Sequence, residues 1–319
     1  MLRKSIIFFS ATVIISLFYC NESTEEKIDN SGEQNKKIHE IEYVKKFSSI
    51  FAFKKNGYKW VMSIHDTAVL PEMYQKGNFQ GDNINAFFTL AKKYHNIEKG
   101  IFLDVGAHVG TTSIPVASRK EIDKVIAFEP SRENYSLLKS NIALNYLDEK
   151  IIPVKAAISN KYGTAILELS EDNTGDHRVR SNNIFKIRNL FNEDERETEQ
   201  VRMITLDGYI IDNNINPKDI RFLWVDTQGY EYFILDGAKS LIRKDVAIIV
   251  EFWPYGLLRT NSLEKFVNLL KANYTHYIDM NEYRQKHNKK IHEIEDVDKI
   301  VKWLKNTSYF TDLFLINNK

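Results

Sequence analysis

The chain has 319 residues, 43% of them hydrophobic, enough to bury one substantial core with a small appendage. Its formal net charge is +1, with acids and bases interspersed, which argues against a polyanion-binding surface and against nucleic acid as a partner. A single cysteine, Cys20, excludes an internal disulfide framework and a cysteine-based metal site.

Residues 1–20 open with Arg3 and Lys4 and continue as the apolar run SIIFFSATVIISLFYC. A basic start before an apolar stretch shorter than the ~20 residues of a spanning helix is the layout of a signal peptide or membrane anchor. Leu17-Phe18-Tyr19-Cys20 resembles a bacterial lipobox, with Tyr19 in place of the small residue expected before a lipidated cysteine. Residues 21–42 begin NESTEEKIDNSGEQNKK, almost without apolar side chains, and read as a polar tether. Residues 43–99 are expected to form a helical, aromatic extension anchored by Phe47, Phe51, Trp60 and Tyr74. It closes with a helix over 85–95, where apolar residues recur at helical spacing.

From residue 100 to 319 strands and helices alternate. Strands are predicted over 100–105, 124–129, 151–158, 222–226 and 247–252, with helices over 111–119, 131–144 and 231–242. Strands apolar on both faces and separated by helices indicate a parallel sheet covered on both sides. Two further strands, over 276–280 and 313–316, flank the C-terminal helices and are expected to form an antiparallel edge. Right-handed crossovers then give an α/β, Rossmann-like, doubly wound, mostly parallel sheet, with ligands at the carboxyl ends of its strands. The octapeptide NKKIHEIE occurs twice, at 35–42 and 288–295, and is read as two surface helix starts.

The first of these strands runs into Asp104-Val-Gly106-Ala-His-Val-Gly110. A dinucleotide loop uses Gly-x-Gly-x-x-Gly so that backbone N–H groups meet a pyrophosphate, an anion that a carboxylate at the strand end would repel. An acid there suits a ligand carrying a cation, such as the amino group of S-adenosylmethionine (SAM), and the glycines let the backbone approach it closely. Glu129 ends the next strand in the string AFEPS, where an acid can accept hydrogen bonds from both ribose hydroxyls. The competing role for Glu129 is a cap on the helix starting near Ser131. The third strand runs into Ala157-Ile158-Ser159-Asn160, placed where an adenine would lie. The cofactor-binding set is therefore Asp104, Gly106, Gly110, Glu129 and Ser159.

Between Gly77 and Trp253 the sequence resembles the FkbM-type methyltransferases, a branch of the class I SAM-dependent enzymes. The blocks that carry the resemblance are FLDVGAHVG, VIAFEPSRENYSLLKSNIALN, VKAAISNKYG, TLDGYI and WVDTQGYEYFILDGAKSLI, in that order. It implies the SAM-binding Rossmann-like fold, SAM as cofactor, and O-methylation of a hydroxyl on a sugar, glycan or secondary metabolite. Where the family pattern looks like Asp-Val-Glu-Gly-Ala-Glu, this chain has Asp226-Thr227-Gln228-Gly229-Tyr230-Glu231, so one acid has become an amide that cannot act as a base. The candidates for taking the hydroxyl proton are Asp226, Glu251 and His177. Arg178 beside His177 is a candidate anion clamp, with a solvated loop as the alternative. Trp253 is either a sugar-stacking platform or core. His65, His95 and His276 lack metal-ligand spacing, so no metal site is expected.

Two other readings stand beside this one. A membrane-anchored lipoprotein that binds a glycan or other ligand without catalysis can retain the fold. An NAD(P) oxidoreductase lacks its Gly-x-Gly-x-x-Gly. The location is expected to be membrane-associated through residues 5–20. The positive-inside rule sends the domain across the membrane, whereas SAM is a cytoplasmic metabolite, so the side stays open.

Overall fold

The computed structural model describes residues 41–180, 190–243, 245–286, 290–304 and 307–317. The expected leader and nearly all of the tether lie outside these residues.

The extension begins with a hairpin that the sequence reading does not contain. Strands β1 (Ile50–Lys55) and β2 (Tyr58–Ser63) pair antiparallel around Asn56-Gly57. Both turn residues have positive φ, 49° and 82°, the backbone that a two-residue hairpin turn of matching twist requires. Helices α1 (Val69–Lys76) and α2 (Gly81–His95) follow. Phe87 of α2 meets the rings of Phe102, Phe222, Trp224 and Phe314 at centroid distances of 5.6–6.1 Å, so one aromatic side chain fastens the extension to the sheet below it.

The main body contains β3 (Gly100–Val105), α3 (Ser113–Ala117), β4 (Ile122–Phe128), α4 (Arg132–Leu144) and β5 (Ile151–Val154). An excursion follows: β6 (Ala157–Ile158), β7 (Gly163–Glu168), β8 (Arg178–Val179) and β9 (Thr198–Ile204). The chain returns through α5 (Leu206–Asp212), β10 (Ile220–Val225), α6 (Glu231–Asp236), β11 (Ala247–Phe252), α7 (Pro254–Arg259) and α8 (Leu263–Asn273). It ends with β12 (His276–Asp279), α9 (Met280–Lys286), β13 (His292–Glu293), α10 (Val297–Leu304) and β14 (Thr311–Ile316).

Eight strands form one sheet in the order β13-β12-β14-β11-β10-β3-β4-β5. The pairs from β11 to β5 are parallel, and those from β13 to β11 are antiparallel. The architecture is thus a mixed α/β fold on a mostly parallel central sheet, with the expected antiparallel edge. Its central strands β3, β10 and β11 are buried on both faces, which accounts for their apolar runs.

Several expectations are corrected, among them the helix predicted over 231–242, of which only the six residues of α6 and a 3-10 turn over 239–241 form. The strand predicted over 151–158 breaks after Val154, because Ala156 N–H turns back to the Val154 carbonyl. Its second half, β6, joins β9, β7 and β8 in a separate four-stranded sheet around Leu167, Val201 and Met203. The helix predicted over 111–119 is only the five residues of α3. Of the two NKKIHEIE copies, the second contains β13, and most of the first lies outside the described residues.

Candidate active site

Register brings the site together. Val105 of β3 lies opposite Val225 of β10 and Phe128 of β4, so the loops after these three strands emerge side by side at the carboxyl edge. Gly106 turns at φ 93°, and a Cβ there would lie 1.8 Å from the Asp226 carbonyl oxygen, so only glycine lets the two loops pass. His108 takes φ 53° and donates its backbone N–H to Glu129 Oε2 at 2.9 Å. Ser131 N–H donates to Glu129 Oε1, also at 2.9 Å. Each oxygen of this buried carboxylate keeps a lone pair beyond its main-chain donor.

The loops enclose a cleft of about 530 Å³, part of it open to solvent, whose walls include Gly106, His108, Glu129, Asn134, Asp226 and Gln228. Part of its wall is a short strap, Asn173–His177, from the excursion. Thr174 ties it down: its hydroxyl donates to Asp66 Oδ2 at 2.5 Å and lies 2.8 Å from His108 Nε2. The Thr174 carbonyl accepts from Asn134 Nδ2 at 2.8 Å. Since the Thr174 proton goes to Asp66, His108 Nε2 is the donor of its pair, and its Nδ1 has no hydrogen-bond partner among the described residues.

The sequence-derived residues divide by position. Gly106, Glu129, Asp226 and His177 line the cleft. Asp104 does not; it is buried beneath the glycine turn and accepts from Ser113 Oγ, and burial raises its pKa to about 7. Gly110 supplies a turn at φ 95°, where a Cβ would press on Leu138 and Ile114, so its constraint is packing and not ligand approach. Ser159 is buried and not part of the lining, its hydroxyl lying 3.3 Å from that of the lining residue Tyr230. Glu251 lies behind Gln228, whose Nε2 stands 3.2 and 3.3 Å from its two carboxylate oxygens.

His177 is a poor fit to the role of base. Its Nδ1 accepts the Ser170 N–H at 3.0 Å, which makes Nε2 the protonated nitrogen, and burial with the nearby His108 and Arg196 drives its pKa down to about 3. Arg178 is no anion clamp, because it is buried between Asp176 and Glu193 at 2.6 Å from each and lies over the rings of Phe191 and Trp253. Trp253 is core, 3% exposed, with its indole N–H on the Ser308 carbonyl.

Asp226 is one of the titratable groups that line the cleft. Gln228 Nε2 donates to its Oδ1 at 2.7 Å and Gln80 Nε2 to its Oδ2 at 3.3 Å. Both glutamines sit at positive φ, 59° and 58°, a backbone that glutamine seldom adopts. Burial raises the Asp226 pKa above the ordinary carboxylate value. Gln80, Asp66, His108, Asn134 and Thr174 were not among the sequence-derived candidates. Only His108 and Asn134 fall inside the motif blocks, and contacts between residues so distant in sequence leave no local spacing to read.

The FkbM methyltransferase domain matches residues 104–309. No curated protein matches the chain. Among solved structures, methyltransferase FkbM from Methylobacillus flagellatus is 14% identical with a TM-score of 0.39, covering 73% of this chain and 59% of that one. The tRNA m1G37 methyltransferase of M. jannaschii is 15% identical with a TM-score of 0.38, covering 86% of this chain and 58% of that one. M. jannaschii TYW2 in complex with AdoMet is 12% identical with a TM-score of 0.37, covering 84% and 86%. The chain thus spans less than two thirds of the length of the first two. With the domain match extending over more than half of the sequence, the protein belongs to the FkbM methyltransferase family.

Proposed function

We propose that the protein methylates a hydroxyl group of a sugar, glycan or secondary metabolite, with SAM as the methyl donor. The observation that carries this reading is the pairing of Gly106, which has no side chain where one would fill the loop crossing, with Glu129, whose buried carboxylate faces the same cleft. These residues fit the cofactor: Glu129 would take its ribose hydroxyls and Gly106 would admit its chain. Asn134 Oδ1, buried and without a partner among the described residues, is a further acceptor for a ligand donor. Bound SAM supplies an electrophilic methyl group. The chain's own work is then to orient the acceptor and to remove one proton. Asp226 is the residue proposed to take that proton, held in place by Gln80 and Gln228. Glu251 lies outside the cleft lining and is joined to Asp226 through Gln228.

Calorimetry with S-adenosylhomocysteine tests the reading. Wild type should bind, Gly106→Val should not, and Glu129→Ala should lose ~10- to 100-fold in affinity, as expected for one or two hydrogen bonds to a charged acceptor. No binding by wild type would sink the assignment. We further propose membrane association through residues 5–20, supported by the basic start, the apolar run and the polar tether.

A further inference from the structure

The buried acids of this molecule fall into two groups that are treated in opposite ways. Under the excursion, Asp176, Glu193 and Glu168 are each held by arginine: Arg178 and Arg196 on Asp176, Arg178 on Glu193, and Arg180 and Arg259 on Glu168. Around the cleft, half-buried Asp226 lines the wall and Glu251, Asp312 and Glu231 are buried outside the lining, yet none of the four has a lysine or arginine at ion-pair distance among the described residues. They are close enough for each to feel its neighbours' charge, and Glu251 and Asp312 face each other across β11 and β14. Three of them are served by side-chain amides: Gln80 and Gln228 on Asp226, Gln228 on Glu251, and Asn83 on Asp312 at 2.9 Å.

Two further atoms indicate missing donors. Glu231 Oε1 accepts from Thr227 N, Thr227 Oγ1 and Gly229 N, but its buried Oε2 has no partner. Asn83 Oδ1, beside Asp312, is likewise buried and unpartnered. The array therefore has acceptors in excess and opens to the cleft through Asp226 and Gln228. Its geometry is set for nitrogen donors. Gln228 Nε2 occupies the point where three carboxylate oxygens converge at 2.7–3.3 Å, which is hydrogen-bond spacing and longer than metal–oxygen bonds. Among the described residues no three ligands have metal-holding geometry.

We propose that this array recognises a protonated amine on the acceptor, an amino sugar or amino alcohol whose ammonium group sits beside the hydroxyl to be methylated. The proposal rests on the methyltransferase reading above. An ammonium presents up to three N–H donors and one positive charge. That is the complement of a cleft whose Asp226 is backed by further carboxyls and surplus acceptors, with no lysine or arginine at ion-pair distance from these acids among the described residues and only Arg284 acting on Asp312 from farther off. Gln228, the amide in place of an acid, then keeps Asp226 and Glu251 apart until the ligand arrives.

Sinefungin tests this without knowledge of the acceptor. It differs from S-adenosylhomocysteine in having a carbon in place of the sulfur and, on that carbon, an amine where SAM carries its methyl group. Wild type should bind sinefungin at least ~10-fold more tightly than S-adenosylhomocysteine, and this ratio should fall toward one in Glu251→Gln and in Asp312→Asn. Equal binding of the two ligands by wild type, or an unchanged ratio in both variants, overturns the proposal while leaving SAM binding intact. If wild type binds neither ligand, the methyltransferase reading fails instead. As a check independent of ligand, both isosteric variants should melt at or above the wild-type temperature, because each removes one member of a repelling set. A clear loss of stability in both would show that the array is already neutralised within the protein, and would also overturn the proposal.

Discussion

At Glu129, two main-chain N–H donors meet one carboxylate, yet burial outweighs them and raises its pKa to about 8. An acid whose folded value lies above its unfolded one keeps its proton after the unfolded chain has released it. Its contribution to stability is complete below about pH 4.5 and is lost as pH rises towards 8. The melting temperature of ligand-free wild type should therefore fall relative to that of Glu129→Gln between pH 5 and 8, and parallel curves would contradict the assignment. Gly106 makes a second prediction at the same scale. Gly106→Ala places a methyl group at positive φ against the Asp226 carbonyl, so it should cost ~1–3 kcal/mol in urea unfolding as well as abolishing cofactor binding. Gly106 and Glu129 were legible in the sequence because each lies at the end of a strand whose apolar run is unmistakable. Asp104 was legible as a motif but not as a neighbour: which side of the turn its carboxylate faces depends on Ser113 in α3.

Between elements, α4 does something that no sequence pattern announces. Asn141 and Asn145, one helical turn apart, act on β2 as another strand would. Asn145 accepts from Lys59 N at 2.8 Å and donates to its carbonyl at 2.7 Å, and Asn141 does the same for Val61 at 2.6 and 2.9 Å. Asn141→Leu, nearly isosteric, strands the Val61 groups and the Val109 carbonyl. It should cost ~1–3 kcal/mol for each buried group left unpaired and speed hydrogen exchange at the Val61 amide. Arg178 ties β8 to the loop at Glu193 in the same fashion, with charge in place of amides. Arg178→Met leaves Asp176 and Glu193 buried without this partner, for a loss of ~3–5 kcal/mol in chemical denaturation. The helices and parallel strands could be read from periodicity and apolar runs. The excursion could not, since β6 and β8 have two residues each and take their sheet from distant partners. The hairpin is a different case: Asn56-Gly57 between alternating residues is a strong local signal, obscured by the aromatic anchors around it.

For the whole molecule, the described residues contain no helix long and apolar enough to cross a membrane. The proposed membrane association through residues 5–20 is tested by fractionation. Full-length protein expressed in a bacterial host should sediment with membranes, and a chain starting after Cys20 should stay in the supernatant. Recovery of both in the supernatant would refute the anchor. The site joins parts of the chain far apart in sequence, with Asp66 and Gln80 from the extension reaching Thr174 and Asp226. That is why its second half escaped a reading built on local strings.

The borders of the main sheet carry one more consequence. One border is β13, two residues long, and the other is β5, four residues with Pro153 among them. Proline offers no backbone donor, and a two-residue strand offers almost no ladder, so neither border is a template for another chain. A fold whose interior strands are apolar on both faces is a hazard to itself while it is being made. Here the strands of greatest stickiness are placed in the middle and the least adhesive at the margins, so resistance to fibril-like stacking is built into the order of the strands.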